Sequence, residues 1–466
     1  MCSDGRFRAW SIDLCVSIDY RSAHYVAALK NTPVVWRGEP DDSPLYVAPN
    51  FSGQRRIMTS LERRHEVRYQ RRKAAREAKK KELYSQYDVL ENISSFNSLF
   101  KANKRSTRNV IWKASVQRYQ MNLLRNLNQA HKGLQSGSNI TKGFVEFDTV
   151  ERGKKRHIRS VHFSERVVQR STCDNALVPM LTKSLIYDNG ACLQGRGIDW
   201  ALNRMDVHLH QFYRANGFSN DGYVIRFDFK GYFDSVRHDI CFQIYERSFS
   251  DKRIVKLVKN FVYPFGFPFA SEKRKKRKKD YLPEDYSGLS LGLGSQISQI
   301  TAVSYPNALD HYIKQTLRVK WYGRYMDDGY LLFKTRDEAI ETMNLICEFC
   351  ESLGITVNKK KTQISKINKD FTYLKVRHRL TASGKTVRRL CRDNITKQRQ
   401  KLKKLYKKYI NREITIEDIS QAYGSWKGYA IHRNSIQTVR NMDRLYVSLF
   451  NDIPVQCKKN KKYNTT

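Results

Sequence analysis

The stretch Arg324-Tyr-Met-Asp-Asp-Gly-Tyr-Leu-Leu-Phe333 places two adjacent carboxylates, Asp327 and Asp328, between two apolar, aromatic-rich runs. This pattern predicts a β-hairpin that presents the acids at its tip. Adjacent carboxylates repel each other unless a cation lies between them, and Mg²⁺ prefers carboxylate oxygens as ligands. A solvated acidic turn is the simpler interpretation, but its neighbours would then rarely be so large and apolar. The stretch therefore indicates a metal site.

A third carboxylate follows a short apolar segment earlier in the chain. Val224 to Phe227 is typical of a β-strand, and Asp228 stands at its C-terminal end before Gly231 turns the chain. One acid at a strand end and two at a hairpin tip are the smallest ligand set for the two Mg²⁺ ions that phosphoryl transfer uses.

A glycine-rich segment lies between these two acidic sites. It reads Gly288-Leu-Ser-Leu-Gly-Leu-Gly294-Ser-Gln-Ile-Ser298-Gln299 and continues into an apolar run through Ala302 and Leu309. A flexible linker would not be followed so directly by apolar residues, so the pattern favours a loop that opens a helix.

The three segments, in this order, resemble motifs A, B and C of the reverse transcriptases, which are RNA-directed DNA polymerases. The resemblance extends from roughly Leu83 to Phe450. Ser298-Gln299 stands where retroviral and retron enzymes usually have Ser-Pro. In this respect the chain is similar to the bacterial reverse transcriptases of diversity-generating retroelements and to defence-associated orphan enzymes.

The resemblance implies an α+β fold of the right-hand polymerase type, with fingers, a palm of antiparallel sheet plus helices, and a helical thumb. The expected divisions are an N-terminal extension of unknown role over 1–57, a basic helix over 58–83, fingers over 84–220, a palm over 221–380, a thumb over 381–450 and a basic tail over 451–466. A basic insertion, 271–281, interrupts the palm. Mutual repulsion within its run Lys273–Lys279 predicts a disordered or nucleic-acid-bound loop.

The resemblance also assigns the chemistry. It implies that Asp228 and Asp327 bridge two Mg²⁺ ions, with Mn²⁺ as a substitute, that Asp328 supports them, and that Phe229 adds a backbone carbonyl. Lys361 lies where the family has a lysine that protonates the leaving pyrophosphate.

Further residues match the family's substrate-binding positions. Arg156 is the first candidate for holding the triphosphate, and Phe233 matches the residue under the sugar that excludes a 2′-hydroxyl. Arg156 could instead belong to a solvated basic face, and Phe233 could instead pack the palm. The remaining nucleotide-binding candidates are Lys155, Arg159, Gly294, Ser298 and Gln299, and the nucleic-acid-binding candidates are Tyr325, Met326, Arg196, Tyr373 and Lys375.

The composition agrees with a polyanionic partner. The 466 residues contain 86 Lys and Arg against 45 Asp and Glu, a formal net charge of +41, together with 27 Tyr and 22 Phe. Such a surface predicts salt-dependent binding of nucleic acid, and exposed aromatic rings would stack with bases. The expected partners are an RNA template, which a dedicated non-coding RNA would supply in some systems, the DNA product and dNTPs. An accessory protein or a second copy of the chain is a further candidate.

Cysteine usage and hydropathy suggest a location. The nine cysteines show no disulfide framework, and the lone Cys347-x-x-Cys350 pair has no second pair at zinc-binding spacing. A reducing, cytoplasmic location is expected, without a membrane partner, because no apolar run is long enough to span a bilayer.

Two other functions stay open on the sequence alone. One is an RNA-binding scaffold, such as a maturase-like protein without polymerase activity, although three intact acids oppose it. The other is a template-independent polymerase or an RNA polymerase on the same fold. The aromatic residue Phe233 opposes an RNA polymerase, because a ring at this position favours deoxynucleotides. Phage defence and a mutagenic retroelement are both compatible with the glycine-rich segment.

Overall fold

The computed structural model describes residues 60–151, 153–268 and 283–450. The predicted N-terminal extension (1–57), basic insertion (271–281) and basic tail (451–466) lie outside the described residues. The chain divides into two compact units, 1–73 and 74–466. Helix α1 (Ser60–Ser85) exposes basic side chains such as Arg71, Arg72 and Lys73. The sheets and the candidate site all belong to the second unit.

The region predicted as fingers combines short helices with one exposed hairpin. Strands β1 (Phe144–Glu151) and β2 (Lys154–Val161) pair antiparallel. A π-helical turn, Cys173–Leu177, joins two of the following helices. The helices are α2 (Leu90–Ser94), α3 (Phe96–Ser106), α4 (Ala114–Met121), α5 (Leu123–Gln135), α6 (Phe163–Thr172), α7 (Val178–Thr182) and α8 (Ile198–Ala215).

A four-stranded antiparallel sheet forms the centre of the second unit. Its strands are β3 (Tyr223–Asp228), β4 (Tyr322–Tyr325), β5 (Asp328–Phe333) and β6 (Gln363–Lys366), in the order β4-β5-β3-β6. The accompanying helices are α9 (Tyr232–Ser235), α10 (His238–Ser248), α11 (Lys252–Val262), α12 (Gln296–Ser304), α13 (Asn307–His311) and α14 (Arg336–Ser352). Short 3₁₀ turns cover Tyr263–Gly266 and Pro283–Asp285, and a π-helical turn covers Tyr312–Thr316.

Both faces of this sheet are buried. Ile225 and Leu331 belong to the larger hydrophobic core, whereas Val224 and Leu332, one position away on the same strands, belong to a second core. Neighbouring residues of a strand point to opposite faces, so the apolar run of β3 fills both cores at once. This double burial fixes the register that places Asp228 at the open end of the strand.

A second, three-stranded sheet follows, and then a helical region. Strands β7 (Phe371–Tyr373), β8 (Val376–Leu380) and β9 (Thr386–Leu390) pair in sequence order. Helices α15 (Arg392–Ile410), α16 (Ile416–Ile431) and α17 (Ile436–Phe450) enclose a small core that includes Leu402, Ile419 and Tyr446. Thr415 and Asp418 form a reciprocal capping box at the start of α16, which satisfies free amides of its first turn.

The architecture is a mixed helix-and-sheet fold with antiparallel sheets, and the predicted α+β right-hand polymerase class is confirmed. Cys350 is buried in the larger core, and Cys347 packs against it. Within the described ranges, no helix has both the length and the apolar character needed to cross a membrane.

Candidate active site

The two adjacent acids lie at the tip of the β4–β5 hairpin. Tyr325 pairs with Asp328, which leaves Met326 and Asp327 as a two-residue turn. Met326 has φ 56°, a left-handed conformation that is uncommon for a non-glycine residue. Such a conformation persists only where neighbouring contacts impose it.

Arg324 supplies that contact. Its side chain is fully buried and donates from Nη1 to the Met326 carbonyl at 2.9 Å. The same guanidinium donates to both carboxylate oxygens of Asp310, at 2.8 and 2.6 Å, and Tyr322 donates to Asp310 at 2.6 Å. The buried Arg324–Asp310 pair thus fastens the turn to α13, so the position of the acids depends on a residue that does not face the site.

Strand pairing brings the third acid beside the first two. Asp228 pairs with Asp328, and Asp328 pairs with Tyr325. Directly opposed residues in adjacent antiparallel strands share a face, so these three side chains form one row across β3, β5 and β4. The amide of Phe229 donates to the Asp327 carbonyl at 3.3 Å, which ties the two acidic segments together.

Burial and mutual repulsion raise the pKa of both acids at the hairpin tip. Burial, followed by the charges of Asp327 and Asp228, raises the pKa of Asp328 to about 7. Burial and then the charge of Asp228 also raise the pKa of Asp327, although Lys361 and Arg156 oppose the shift. Carboxyls in this state gain from a cation that neutralises them.

A lysine already contacts one member of the row. Lys361 Nζ lies 2.7 Å from each carboxylate oxygen of Asp228, and Asn358 donates its amide to the Asp228 carbonyl at 2.8 Å. Burial opposes the charge on Lys361, but its hydrogen bond to Asp228 and the charges of Asp328 and Asp327 hold its pKa above the usual range. The structure therefore joins Lys361 directly to the predicted site.

The donor set suits hard divalent ions. Asp228, Asp327 and Asp328 offer carboxylate oxygens at the ends of two paired strands, and carboxylate oxygens are the ligands that such ions prefer. In the part of the chain that the structure describes, no three acidic, His or Cys side chains already converge as a metal cluster. Binding would require these side chains to rotate and Lys361 to leave Asp228.

Among the three basic candidates of the fingers hairpin, Arg156 lies on one face of the strand, and Lys155 and Arg159 lie on the other. Arg156 pairs with Thr149 on one face, and its charge acts on Asp327. Lys155 lies on the other face, where it forms an ion pair with Asp148 at 2.9 Å. Of the two, Arg156 is therefore the better placed toward the acids.

Arg159 does not fit the role predicted for it. Its buried guanidinium donates to the carbonyls of Phe265 and Phe267, at 2.9 and 2.7 Å, and pairs with Glu146 at 3.1 Å. These contacts anchor the hairpin to the residues after α11. Its guanidinium is thus engaged in the fold, and the prediction that it binds the triphosphate would require these contacts to break.

The glycine-rich segment packs against the hairpin through its backbone. Gly294 has φ 119°, and a side-chain carbon there would lie 2.7 Å from the Arg159 carbonyl oxygen. Ser298 is buried and donates its hydroxyl to the Leu291 carbonyl, so its role is to shape the loop. Gln299 is exposed and stays a candidate for contacting a substrate. Phe233 is half-buried beside this loop, and its carbonyl accepts a hydrogen bond from the Leu291 amide at 2.8 Å.

Some of the predicted nucleic-acid-binding residues lie at the site, whereas others are buried in the fold. Tyr325 is half-buried at the end of the acid row, whereas Tyr373 is buried in the second core against Tyr330. Tyr373 therefore packs the fold and presents no surface to a strand. Lys375 has φ 62° at the β7–β8 turn, a conformation that favours glycine, and its charge acts on Asp328.

Arg196 lies in a loop close to Tyr325 and is fixed by its neighbours. It donates to the carbonyls of Tyr187 and Asn189, both at 2.6 Å. Two contributions were missed at the level of sequence, those of Arg324 and Asn358. Arg324 stands two residues before Met326, and an arginine inside an apolar strand is the signal of a buried ion pair.

Comparison with known proteins identifies the region that contains this site. Residues 150–378 match the family model described as reverse transcriptase (RNA-dependent DNA polymerase). A search of curated protein sequences found no match.

Solved structures that are similar to the chain include two telomerases. One is telomerase from Candida albicans in complex with a TWJ fragment of telomeric RNA, with 12% identity, 67% of this chain and 55% of that chain covered, and a TM-score of 0.41. The other is an apo telomerase from Candida tropicalis truncated from the C-terminal domain, with 13% identity, 52% and 54% covered, and a TM-score of 0.34. The matched region spans about half the length of these telomerase chains.

Proposed function

We propose that this chain, which carries a reverse transcriptase domain over residues 150–378, is an RNA-directed DNA polymerase that extends a primer with dNTPs. The single observation that carries the proposal is the row of Asp228, Asp328 and Tyr325 across three paired strands, with Asp327 beside it at the hairpin tip. Few structural roles would place three mutually repelling carboxylates at one edge of a sheet.

Asp228, Asp327 and Asp328 would hold two Mg²⁺ ions, or Mn²⁺ in their place, with the carbonyl of Phe229 as a further ligand. Bound there, the ions would lower the pKa of the primer 3′-hydroxyl and neutralise the triphosphate. The chain's own residues would do the rest. Arg156 would hold the triphosphate, Phe233 would lie under the sugar, and Lys361, released from Asp228, would donate its Nζ proton to the leaving pyrophosphate.

The partners follow from charge and chemistry. A net charge of +41 fits an RNA template and a DNA product held mainly through their phosphates. We place the enzyme in the cytoplasm of a bacterium, in an anti-phage defence or retroelement system, because Ser298-Gln299 resembles both groups. A template/variable repeat pair in the neighbouring DNA would favour the retroelement, and an isolated non-coding RNA gene would favour defence.

Primer extension by the full chain tests the proposal. Wild-type protein should incorporate labelled dNTPs into a DNA primer annealed to RNA when Mg²⁺ is present. The double variant Asp327→Asn, Asp328→Asn should lose this activity while it still binds the same duplex, because each metal ligand contributes several kcal/mol to charge stabilisation. Undiminished incorporation by the double variant would refute the assignment. Incorporation without template, or of rNTPs alone, would support the other polymerase classes.

A further inference from the structure

The glycine-rich segment opens α12, and the far end of this helix makes contacts that the chemistry described above does not use. Its last five residues, Ile300 to Ser304, are all buried. An α-helix ends in carbonyl groups that have no partner within the helix, and a buried carbonyl without a donor lowers stability. The groups that donate to these carbonyls therefore determine where the end of α12 lies.

The carbonyl of Ala302 receives its donor from the first acid-bearing segment. In a continuous helix it would accept from the amide four residues later, but that residue is Pro306, which has no amide hydrogen. The hydroxyl of Tyr232, four residues after Asp228, donates to this carbonyl instead, at 2.6 Å. Burial raises the pKa of Tyr232 well above its usual value, so the hydroxyl keeps its proton at neutral pH.

The next carbonyl, that of Val303, receives its donor from the second acid-bearing segment. Arg324 Nη2 donates to it at 2.9 Å, and Nη1 of the same guanidinium donates to the Met326 carbonyl in the acidic turn. The dipole of α12 also favours a cation at its C-terminal end. Two neighbouring carbonyls of one helix thus hold one side chain from each segment that carries the acids.

The opposite end of α12 is bonded to the glycine-rich loop. Ser298, in the first turn, donates its hydroxyl to the Leu291 carbonyl. The Leu291 amide in turn donates to the Phe233 carbonyl at 2.8 Å. The position of α12 therefore relates the loop at one end to the acid-bearing segments at the other.

We infer that Tyr232 and Arg324 are positioning residues, which hold the C-terminal end of α12 so that the acids and the glycine-rich loop keep one relative geometry. They act through the Ala302 and Val303 carbonyls and not by contact with a substrate or a metal ion. The inference rests on the proposed polymerase function, which it deepens by naming the residues that align two parts of the site. Misplacement of reacting groups by about 1 Å can slow a reaction roughly a hundredfold, so the rate should report the loss of either contact.

Tyr232→Phe in the full chain tests the inference, with Tyr245→Phe as the matched control. Tyr245 is also buried, and its hydroxyl lies 2.6 Å from Thr301 Oγ1 of the same helix, but it belongs to α10, which carries none of the three acids. Tyr232→Phe should slow single-turnover dNTP incorporation roughly tenfold and raise the Mg²⁺ concentration needed for half the maximal rate, with unchanged affinity for the primer–template duplex. Tyr245→Phe should lower the melting temperature by a similar amount and still extend the primer at the wild-type rate.

A rescue separates positioning from a general loss of stability. Pro306→Ala supplies an amide hydrogen four residues after Ala302, so Tyr232→Phe combined with Pro306→Ala should regain most of the lost rate. Arg324→Lys keeps a cation beside Asp310 but loses the planar fork that reaches three acceptors, and it should slow incorporation at least as much as Tyr232→Phe. Circular dichroism at the assay temperature identifies the folded variants.

Three results would overturn the inference and leave the polymerase intact. They are a wild-type rate in Tyr232→Phe, a wild-type rate in folded Arg324→Lys, and the absence of any recovery on adding Pro306→Ala. Equal loss of rate in Tyr232→Phe and Tyr245→Phe would also contradict it, because any buried hydroxyl on α12 would then have the same effect. A wild-type preparation that extends no primer contradicts the polymerase function and the inference together.

Discussion

Lys361 Nζ lies 2.7 Å from both carboxylate oxygens of Asp228, so a cation of the protein contacts the two oxygens that a metal ion would use. The ammonium group and a divalent ion therefore compete for one ligand. Because the same lysine is the candidate proton donor to pyrophosphate, its release from Asp228 would couple metal binding to the last step of the reaction.

Lys361→Met should therefore separate two properties. It should tighten Mg²⁺ binding to the nucleic-acid-free protein, since the ion no longer displaces an ammonium group, and it should slow phosphoryl transfer by roughly 10²-fold or more if the lysine acts as a general acid. Calorimetric Mg²⁺ titration and single-turnover extension measure the two effects.

The neighbouring exposed residue gives the control for Lys361. Lys360→Met removes the same charge from the same segment without touching Asp228, and both measurements should match the wild type. An unchanged Mg²⁺ affinity in Lys361→Met would mean that the ion pair does not compete with metal.

Burial of Asp328 and its repulsion by the other two acids predict a stability cost. In the fold the pKa of Asp328 is about 7, well above the value near 4 of an unfolded chain. A group whose pKa is raised by folding stabilises the fold below the unfolded value and loses that contribution as the pH rises through the folded value. Asp328→Asn should therefore raise the melting temperature of the metal-free protein at pH 8 and have little effect at pH 4.

Calorimetry at the two pH values, with and without Mg²⁺, checks the prediction for Asp328. Mg²⁺ should raise the melting temperature of the wild type more than that of Asp328→Asn. Glu341→Gln, at an exposed position of α14, serves as the control for loss of one acid. Equal melting temperatures of wild type and Asp328→Asn at pH 8 would show that the charge of Asp328 does not destabilise the metal-free fold.

A buried ion cluster around Asp188, next to the site, should stabilise the fold at neutral pH and lose this effect in acid, the opposite of Asp328. Asp188 contacts Arg204, Lys314 at 2.9 Å and His208 at 3.5 Å. Burial opposes its ionisation, but His208, Lys314 and Arg204 outweigh burial and hold the pKa of Asp188 well below its usual range. The stabilisation is therefore present above about pH 4 and is lost as the pH falls through the folded value.

Urea unfolding of Asp188→Asn checks this second pH dependence. At pH 7 the variant should lose about 3 kcal/mol of unfolding free energy, since the substitution leaves buried cations without their partner, and the difference from wild type should shrink toward pH 3. Asp337→Asn, at an exposed position, is the control. A difference that stays constant from pH 7 to pH 3 would show that Asp188 acts through packing alone.

Local patterns account for what could be predicted from the sequence. Two apolar runs around a polar turn predict the hairpin that carries Asp327 and Asp328. The position of Asp228 at the end of an apolar strand indicates the third acid. These features need only neighbouring residues. The pairing of β3 with β5 then brings the acids together, and the resemblance to a known family supplied that step.

Long-range partners account for what could not be predicted. Arg159 reads as one of several basic residues in a hairpin, but its acceptors Phe265 and Phe267 lie more than 100 residues later. The contact between Asp199 and Arg433 joins residues still farther apart. The sequence gives the identity of a polar side chain, whereas the packing of distant segments determines which residue it contacts.

The last prediction concerns the choice of sugar. Phe233 stands five residues after Asp228, is half-buried, and packs edge-on against Tyr232 at 5.9 Å between ring centres. A ring under the sugar of the incoming nucleotide leaves no room for a 2′-hydroxyl and offers it no hydrogen bond. Phe233→Val should therefore raise ribonucleotide incorporation relative to deoxynucleotide by tens of times, roughly the effect of 1–3 kcal/mol.

Single-nucleotide extension with matched rNTP and dNTP measures the effect of Phe233→Val. Because a smaller apolar side chain leaves only a cavity at the edge of the site, the variant should fold and keep dNTP incorporation. Phe100→Val, at an exposed position of α3, controls for loss of an aromatic ring and should keep the wild-type preference. If the folded, active Phe233→Val protein also keeps that preference, Phe233 packs the palm and another residue excludes the 2′-hydroxyl.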